Sequence, residues 1–297
     1  MVLDPLIIGL LLLAALMHAS WNAVLKSDQS DRLVTFGVIT AMGVVLGLCA
    51  MPFLPSIEPE AWKYVIVSVP IHILYFTFLL RAYSYGDLSH IYPIARGLSP
   101  LLVMLVSGSL IGEHLRVQDV VGILLLSGGV IALALSQRSV APGPAGRHGL
   151  ATLFAMLTGL TIAAYIVVDG LGVRSAGPTL QHRLAYIAWL YVLDGPWLLL
   201  LAIWLRPAKV WSHLRTNWWR GAVGGVTSNV SYAIAIYALA LGPMAHVAAL
   251  RETSVLFGAL IGTLLLHERF GAQRVAAAFA IVAGLVLMNG PAVFMPL

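Results

Sequence analysis

Charge is what this 297-residue chain has least of: Asp, Glu, Lys and Arg together make up 10% of it. A water-soluble domain carries about 25%, so too few polar side chains exist here to cover a solvent-facing surface. Hydrophobic residues reach 60% and the mean hydropathy is +0.93, which leaves an integral membrane protein. Cysteine is nearly absent as well. With Cys49 alone, no intramolecular disulfide forms and the redox compartment stays open. Enzyme signatures are missing too. There is no nucleophile elbow and no Walker loop, and "HERFG" at His267 fails as a zinc-protease motif because Gly271 stands where a second histidine is needed. Neither a catalytic residue, a metal site nor a cofactor is therefore expected. The net charge of +5 comes without a basic stripe, so it points to loop bias at a membrane and not to nucleic acid.

Long apolar runs are what the chain has in plenty. Ten approach the roughly 20 residues that cross a bilayer: 5–25, 32–54, 61–83, 88–111, 117–136, 149–170, 183–205, 217–241, 244–266 and 273–293. Barrel strands would alternate over about ten residues, so the expected class is an all-α membrane protein of ten transmembrane helices. No Lys or Arg precedes the first run, which reads as a retained helix and not a cleaved leader.

The one polar, turn-rich internal segment, "SQRSVAPGPAGRHG" from Ser136, divides the runs five and five. Expected domains are a five-helix repeat over 5–136, a linker over 137–148 and a second repeat over 149–293. The halves echo each other at an offset of 155: Arg96 with Arg251, Ser99 with Ser254, Glu113 with Glu268, Gln118 with Gln273, Gly129 with Gly284. A one-residue slip adds Gly86 with Gly242 and His90 with His246. Because five is odd, the two units enter from opposite faces, an inverted repeat suited to alternating access around a central cavity.

Arg96 and Arg251 are the residues that ask for a function. Each lies seven or eight residues into its run, about 12 Å deep at 1.5 Å per residue, in a core about 30 Å thick. A central arginine costs about 2.5–3.5 kcal/mol to insert, so each needs an anion: a substrate gripped bidentately, or an internal carboxylate such as Glu252 or Asp194. Pro93 and Pro100 flank Arg96 and predict irregular backbone there; nothing equivalent flanks Arg251.

Other polar groups in the runs are candidates for the same cavity. His18, Trp21 and Asn22 cluster in "MHASWNAVLK", and Tyr75, Phe76, Tyr165, Tyr186, Trp189 and Tyr232 are candidate stacking partners. "GGVTSNVSY" from Gly224 reads either as a close helix contact or as a polar wall. Ionisable groups able to carry a coupling proton are Glu252, Asp194, Asp169, His18, His72, His90 and His246, with Glu252 foremost because Arg251 adjoins it.

The "GEHL" at Gly112 closing the fourth run, "HERF" at His267 closing the ninth, and the following "QDVVGILLLSGGVIAL" are similar to the EamA-type members of the drug/metabolite transporter superfamily. That resemblance covers nearly the whole chain. It implies two EamA domains, transport of small metabolites such as amino acids, and a multi-pass place in a bacterial cytoplasmic membrane. "HASWNAVLK" resembles members associated with phosphonate use. In the second copy, His267 stands where that family has glycine.

The expected function is a secondary transporter of a small anionic or zwitterionic metabolite held between the two arginines, with protons as a possible coupling ion, working as monomer or homodimer. Alternatives are a flippase for a phosphate-bearing lipid-linked sugar and an intramembrane lipid-modifying enzyme. Loops after odd-numbered runs hold 11 of the basic residues and the others hold 4, which with Arg96 and Arg251 accounts for all 17. Basic loops stay inside, placing both termini outside, whereas the family pattern places them in the cytoplasm.

Overall fold

The computed structural model describes residues 3–27, 31–86, 88–109, 111–136, 145–266 and 272–290, and they are helical almost throughout. In chain order the helices are α1 (Pro5–Ser27), α2 (Arg32–Ala50), α3 (Pro59–Tyr85), α4 (Leu88–Ser109), α5 (Val117–Ser136), α6 (Ala145–Arg174), α7 (Leu180–Asp194), α8 (Pro196–Leu205), α9 (Pro207–Thr216), α10 (Trp218–Leu239), α11 (Met244–Arg251), α12 (Ser254–Leu266) and α13 (Ala272–Asn289). Among the described residues, eight stretches are long and apolar enough to cross a membrane, and two shorter apolar helices, Val117–Leu133 and Val275–Asn289, accompany them.

Local chemistry sets the ends. Asp31 caps α2 by accepting from the Leu33 amide at 3.1 Å, and Thr179 caps α7 through the His182 amide. Proline opens α3, α8 and α9, where a missing N–H costs nothing. Gly112, beyond the end of α4, has φ +74°, a left-handed backbone that glycine adopts without strain.

Loop contacts sort the ends into two faces. On the first, Glu58 N–H donates to Ala176 O, Arg174 reaches Leu239 O and Gly242 O, and Arg116 reaches Met288 O. On the second, Asp31 pairs with Arg206 and Lys209, and Arg32 donates to Tyr83 O. Helix α4 therefore ends on the face where its counterpart α11 begins, and the two copies run in opposite directions.

The seam between α5 and α13 displays the symmetry in reciprocal contacts. A Cβ on Gly129 would lie 2.9 Å from Ala277 O, and one on Gly284 would lie 2.5 Å from Gly122 O. Subtracting 155 from 277 gives 122, and from 284 gives 129, so each contact maps onto the other. A two-fold axis between the helices requires that reciprocity.

Several expectations need correction. α4 is continuous through Pro93 and Pro100. The prolines are seven apart, nearly two turns, so their lost bonds fall on one side and the remaining ladder carries the helix. The interruption lies instead in the second copy, between α11 and α12. There Glu252 and Thr253 amides bond three residues back, to Ala249 at 3.0 Å and Leu250 at 3.2 Å, a tightened turn without proline. Run 183–205 is divided by Pro196 into α7 and α8. Residues 207–216, expected as loop, form the basic amphipathic helix α9. α6 begins at Ala145, inside the expected linker, whose residues 137–144 lie outside the described structure, as do His267, Glu268 and Gly271.

Candidate functional site

A cavity of about 90 Å³ lies among α1, α2, α3, α6, α7, α10 and α11. Its wall is largely aromatic, from Trp21, Phe36, Tyr75, Phe76, Tyr165, Tyr191 and Tyr232. Two formally charged residues line it, Arg251 and Asp194, together with His18, His72, Ser228 and Asn229.

The two arginines have different surroundings. Arg96 is consumed internally: Nη1 donates to Glu252 Oε1 at 3.2 Å, Nη2 contacts His18 Nε2, and its guanidinium covers the Tyr92 ring at 5.4 Å. Arg96 is not part of the cavity wall. Arg251 is in the wall and rests on the face of Tyr232 at 5.2 Å; among the described residues no carboxylate lies within ion-pair distance of it.

The repeat explains the difference. Arg96 pairs with Glu252, so symmetry would pair Arg251 with position 97, and position 97 is glycine. One arginine found its counter-ion in the other half of the chain. Its twin was left facing the chamber.

The other sequence candidates divide accordingly. His18, Trp21, Tyr75, Tyr165 and Tyr232 are in the wall. Asn22 is not; its amide donates to His18 O at 2.7 Å, within its own helix. Both nitrogens of His18 face donors only, Arg96 Nη2 and the Trp21 indole N–H at 3.3 Å. A neutral ring accepts at one nitrogen, and an imidazolium would have nothing to donate to, which argues against His18 as a proton carrier. Glu252 is held by Arg96, the arrangement of a static ion pair, with Oε2 left without a partner. His246 bonds Asp119 at 3.2 Å, away from the chamber, while His90 has no described side chain. Trp189 packs on Trp62 at 4.8 Å outside it.

The "GGVTSNVSY" segment does both jobs foreseen for it. Gly225 meets α2 at Met42, while Asn229 donates to Ile39 O at 3.0 Å and, with Ser228 and Tyr232, faces the chamber. Thr40, Phe36 and Tyr191 escaped sequence reading; nothing in an apolar run marks which side chain turns inward. The Gly-Glu pair at 112–113 also acquires a role. Glu113 accepts from the Met244 amide at 3.2 and 3.0 Å, at the N-terminus of α11, and from Arg174 at 2.9 Å. It pins to the first face the helix that carries Arg251.

Two oppositely running repeats around a charged, aromatic chamber, built from membrane-spanning helices, define a membrane transporter. The chain matches the EamA-like transporter family over residues 5–135 and again over 149–290, and it belongs to that family and through it to the drug/metabolite transporter superfamily. It is an integral, multi-pass membrane protein. Of 29 solved chains that match, one described only as a crystal structure of a protein superposes with a TM-score of 0.76 at 20% identity, covering 95% of this chain and 94% of its own. Likeness at that identity concerns the fold alone. No curated protein matches.

Proposed function

We propose that the chain carries a small zwitterionic metabolite of the amino acid or aminophosphonate class by alternating access. Ten crossing helices in two five-helix repeats, residues 5–136 and 149–293, would rock about the chamber. The observation that carries this reading is Arg251, buried to 8% exposure in the chamber wall with no carboxylate of its own among the described residues. A buried guanidinium without a counter-ion is costly, and a substrate carboxylate or phosphonate offers it two parallel hydrogen bonds. Asp194 and the aromatic wall supply the complementary half, an anion and ring faces for an ammonium group. The volume of about 90 Å³ is several times the roughly 10–15 Å³ that a single water needs, which suits a small solute. No observation favours a lipid-linked sugar or a lipid-modifying reaction.

The substrate lies against Arg251 in this reading, and Arg96 acts one step away by holding Glu252. The test is a thermal-shift series on purified protein with amino acids, aminophosphonates, plain carboxylates and plain amines. A native-state ligand at a hundred times its Kd stabilises by about 2.7 kcal/mol. Zwitterions are expected to raise the midpoint more than either half alone, and Arg251→Ala to abolish the effect. Equal shifts from carboxylates alone, or an undiminished response in Arg251→Ala, would overturn the assignment.

A further inference from the structure

Behind the chamber floor, towards the first face, lies a second polar cluster centred on Asp169. Its carboxylate is fully buried and accepts three hydroxyl hydrogen bonds: Ser68 Oγ at 2.6 Å and Tyr186 OH at 3.1 Å on Oδ1, and Tyr232 OH at 2.5 Å on Oδ2. His72 Nε2 stands 3.9 Å from Oδ2 and 3.1 Å from the Tyr232 hydroxyl, and its ring stacks on Tyr165 at 4.5 Å. Asp169 is on α6, Ser68 and His72 on α3, Tyr186 on α7 and Tyr232 on α10, so one carboxylate ties four helices together.

Its place in the fold gives the cluster a mechanical meaning. Asp169 lies five residues from Arg174, about 7.5 Å along the helix, and Arg174 belongs to the first-face contacts. Between them the packing is apolar and closed: Ala61, Val65, Val173 and Met244 are all fully buried. The chamber's own wall reaches towards the second face, through Trp21, Phe36 and Phe76. Apolar packing thus backs the chamber on its first-face side, and the Asp169 cluster is the polar tie beneath that packing.

The charge on that tie is uncompensated. Facing Asp169 are Ser68 and His72 from α3, Tyr186 from α7 and Tyr232 from α10; from α11, Arg251 reaches it only across the Tyr232 ring. Asp194 is within electrostatic range of both Asp169 and His72 and is another carboxylate, not a cation. Arg96 on α4 is occupied by Glu252, and Arg174, on α6 itself, by Glu113. No permanent cation is within ion-pair distance of the Asp169 carboxylate among the described residues. An ionised carboxylate in that position survives on hydroxyl hydrogen bonds alone, and the simplest neutralising ligand is a proton.

We propose that Asp169 is a proton-binding latch: while ionised it draws α3, α7 and α10 onto α6 and keeps the first face closed, and a proton taken onto its carboxylate releases them. The proton enters at Oδ2, where the Tyr232 hydroxyl now donates; a neutral acid holds its three hydroxyl donors more weakly than a carboxylate does. Tyr232 links the latch to cargo. Its hydroxyl is on Asp169 and its ring is under Arg251, so an anion that draws Arg251 off the ring also loosens a latch donor. The inference rests on the alternating-access reading and assigns the coupling ion to that carrier.

Spin–spin distances test it without any substrate. Nitroxides at Lys63→Cys on α3 and Leu241→Cys beyond α10, both exposed at the first face, are introduced in a Cys49→Ser background in nanodiscs and measured from neutral to acidic pH. The wild-type separation is expected to lengthen as pH falls, and Asp169→Asn to show the long separation throughout. Ser68→Ala and Tyr186→Phe each keep the carboxylate but remove one donor, and should each lengthen the separation relative to wild type at the same pH. These milder variants carry the test if Asp169→Asn does not fold. A wild-type distance that ignores pH would overturn the proposal. So would a response that survives in Asp169→Asn and is lost in His72→Gln, since the proton would then belong to the histidine. Neither result depends on Arg251 or a ligand, so a failed latch leaves the binding reading standing.

Discussion

Removing Arg96 and removing Arg251 should produce opposite defects, although the sequence presents them as twins. Arg96 and Glu252 are 6% and 1% exposed, and their 3.2 Å contact is the only ion pair either makes among the described residues. Truncating one partner of such a buried pair strands the other charge and costs about 3–5 kcal/mol. Arg96→Met and Glu252→Ala should therefore each lower the thermal midpoint in detergent by about 6–20 °C. The double variant Arg96→Met/Glu252→Leu removes both charges and fills the space, and should return close to wild type. Arg251→Met strands nothing. It forfeits a cation–π contact of about 0.5–2 kcal/mol and relieves a desolvated charge, so its stability should stay within about 1 kcal/mol of wild type. Its ligand affinity, however, should fall by about 2–5 kcal/mol, roughly thirty- to several-thousand-fold. Thermal unfolding of the four variants, paired with ligand titrations, reads both axes. An Arg251→Met protein as unstable as Arg96→Met, or a double variant showing the sum of the single losses, would refute the division of labour.

Other consequences are checked more briefly. Glu113→Ala removes one of the three acceptors of Arg174 and the carboxylate on the Met244 amide, and should cost about 1–3 kcal/mol of thermal stability. It should also speed labelling of a cysteine at Leu241. Gly112→Ala forces a Cβ onto a φ of +74° and should cost about 1–2 kcal/mol with no change in ligand affinity. Gly284→Ala places a Cβ 2.5 Å from the Gly122 carbonyl and should destabilise by about 1–3 kcal/mol of overpacking. A cysteine at position 142, in a Cys49→Ser background, should be shielded from membrane-impermeant reagent in intact cells, as the 11-to-4 distribution of basic residues requires.

The helical class was legible because apolar length is a one-dimensional property. The inversion was legible because five spans per copy is arithmetic. Arg96 and Arg251 stood out because a charge in lipid is conspicuous in any order of residues. What escaped depends on rotation about helix axes. Nothing in the run "RLVTFGVITAMGVV" says that Phe36 and Thr40 turn inward while Val45 faces out, because that run is apolar on every side. The Asp169 cluster was half visible: Asp169, His72 and Tyr186 were each noticed, but Ser68 lies 101 positions from Asp169 and only the packing of α3 on α6 brings them together. Proline is no guide to the backbone break, because the tight turn after Arg251 uses none.

Positions 97 and 252 are where the two copies part from symmetry beside their arginines. If both copies kept the glutamate, each arginine would be neutralised by the opposite half and the chamber would hold no free cation. If neither did, two stranded guanidiniums would face each other near the midplane. One glutamate solves both problems, and packing decides which copy has it. A Cβ on Gly97 would come 2.5 Å from Ile131 Cγ1 and 3.2 Å from Ser127 O, so α5 leaves no room for a side chain there. Position 252 sits in the tight turn between α11 and α12, from which the glutamate side chain reaches across to Arg96. Transplanting the charge, as Gly97→Glu with Glu252→Gly, should therefore fail to rescue either pair. It should unfold more readily than Glu252→Gly alone, and recovery of wild-type stability by the swap would show that charge balance, and not the close approach of α4 and α5, sets the asymmetry.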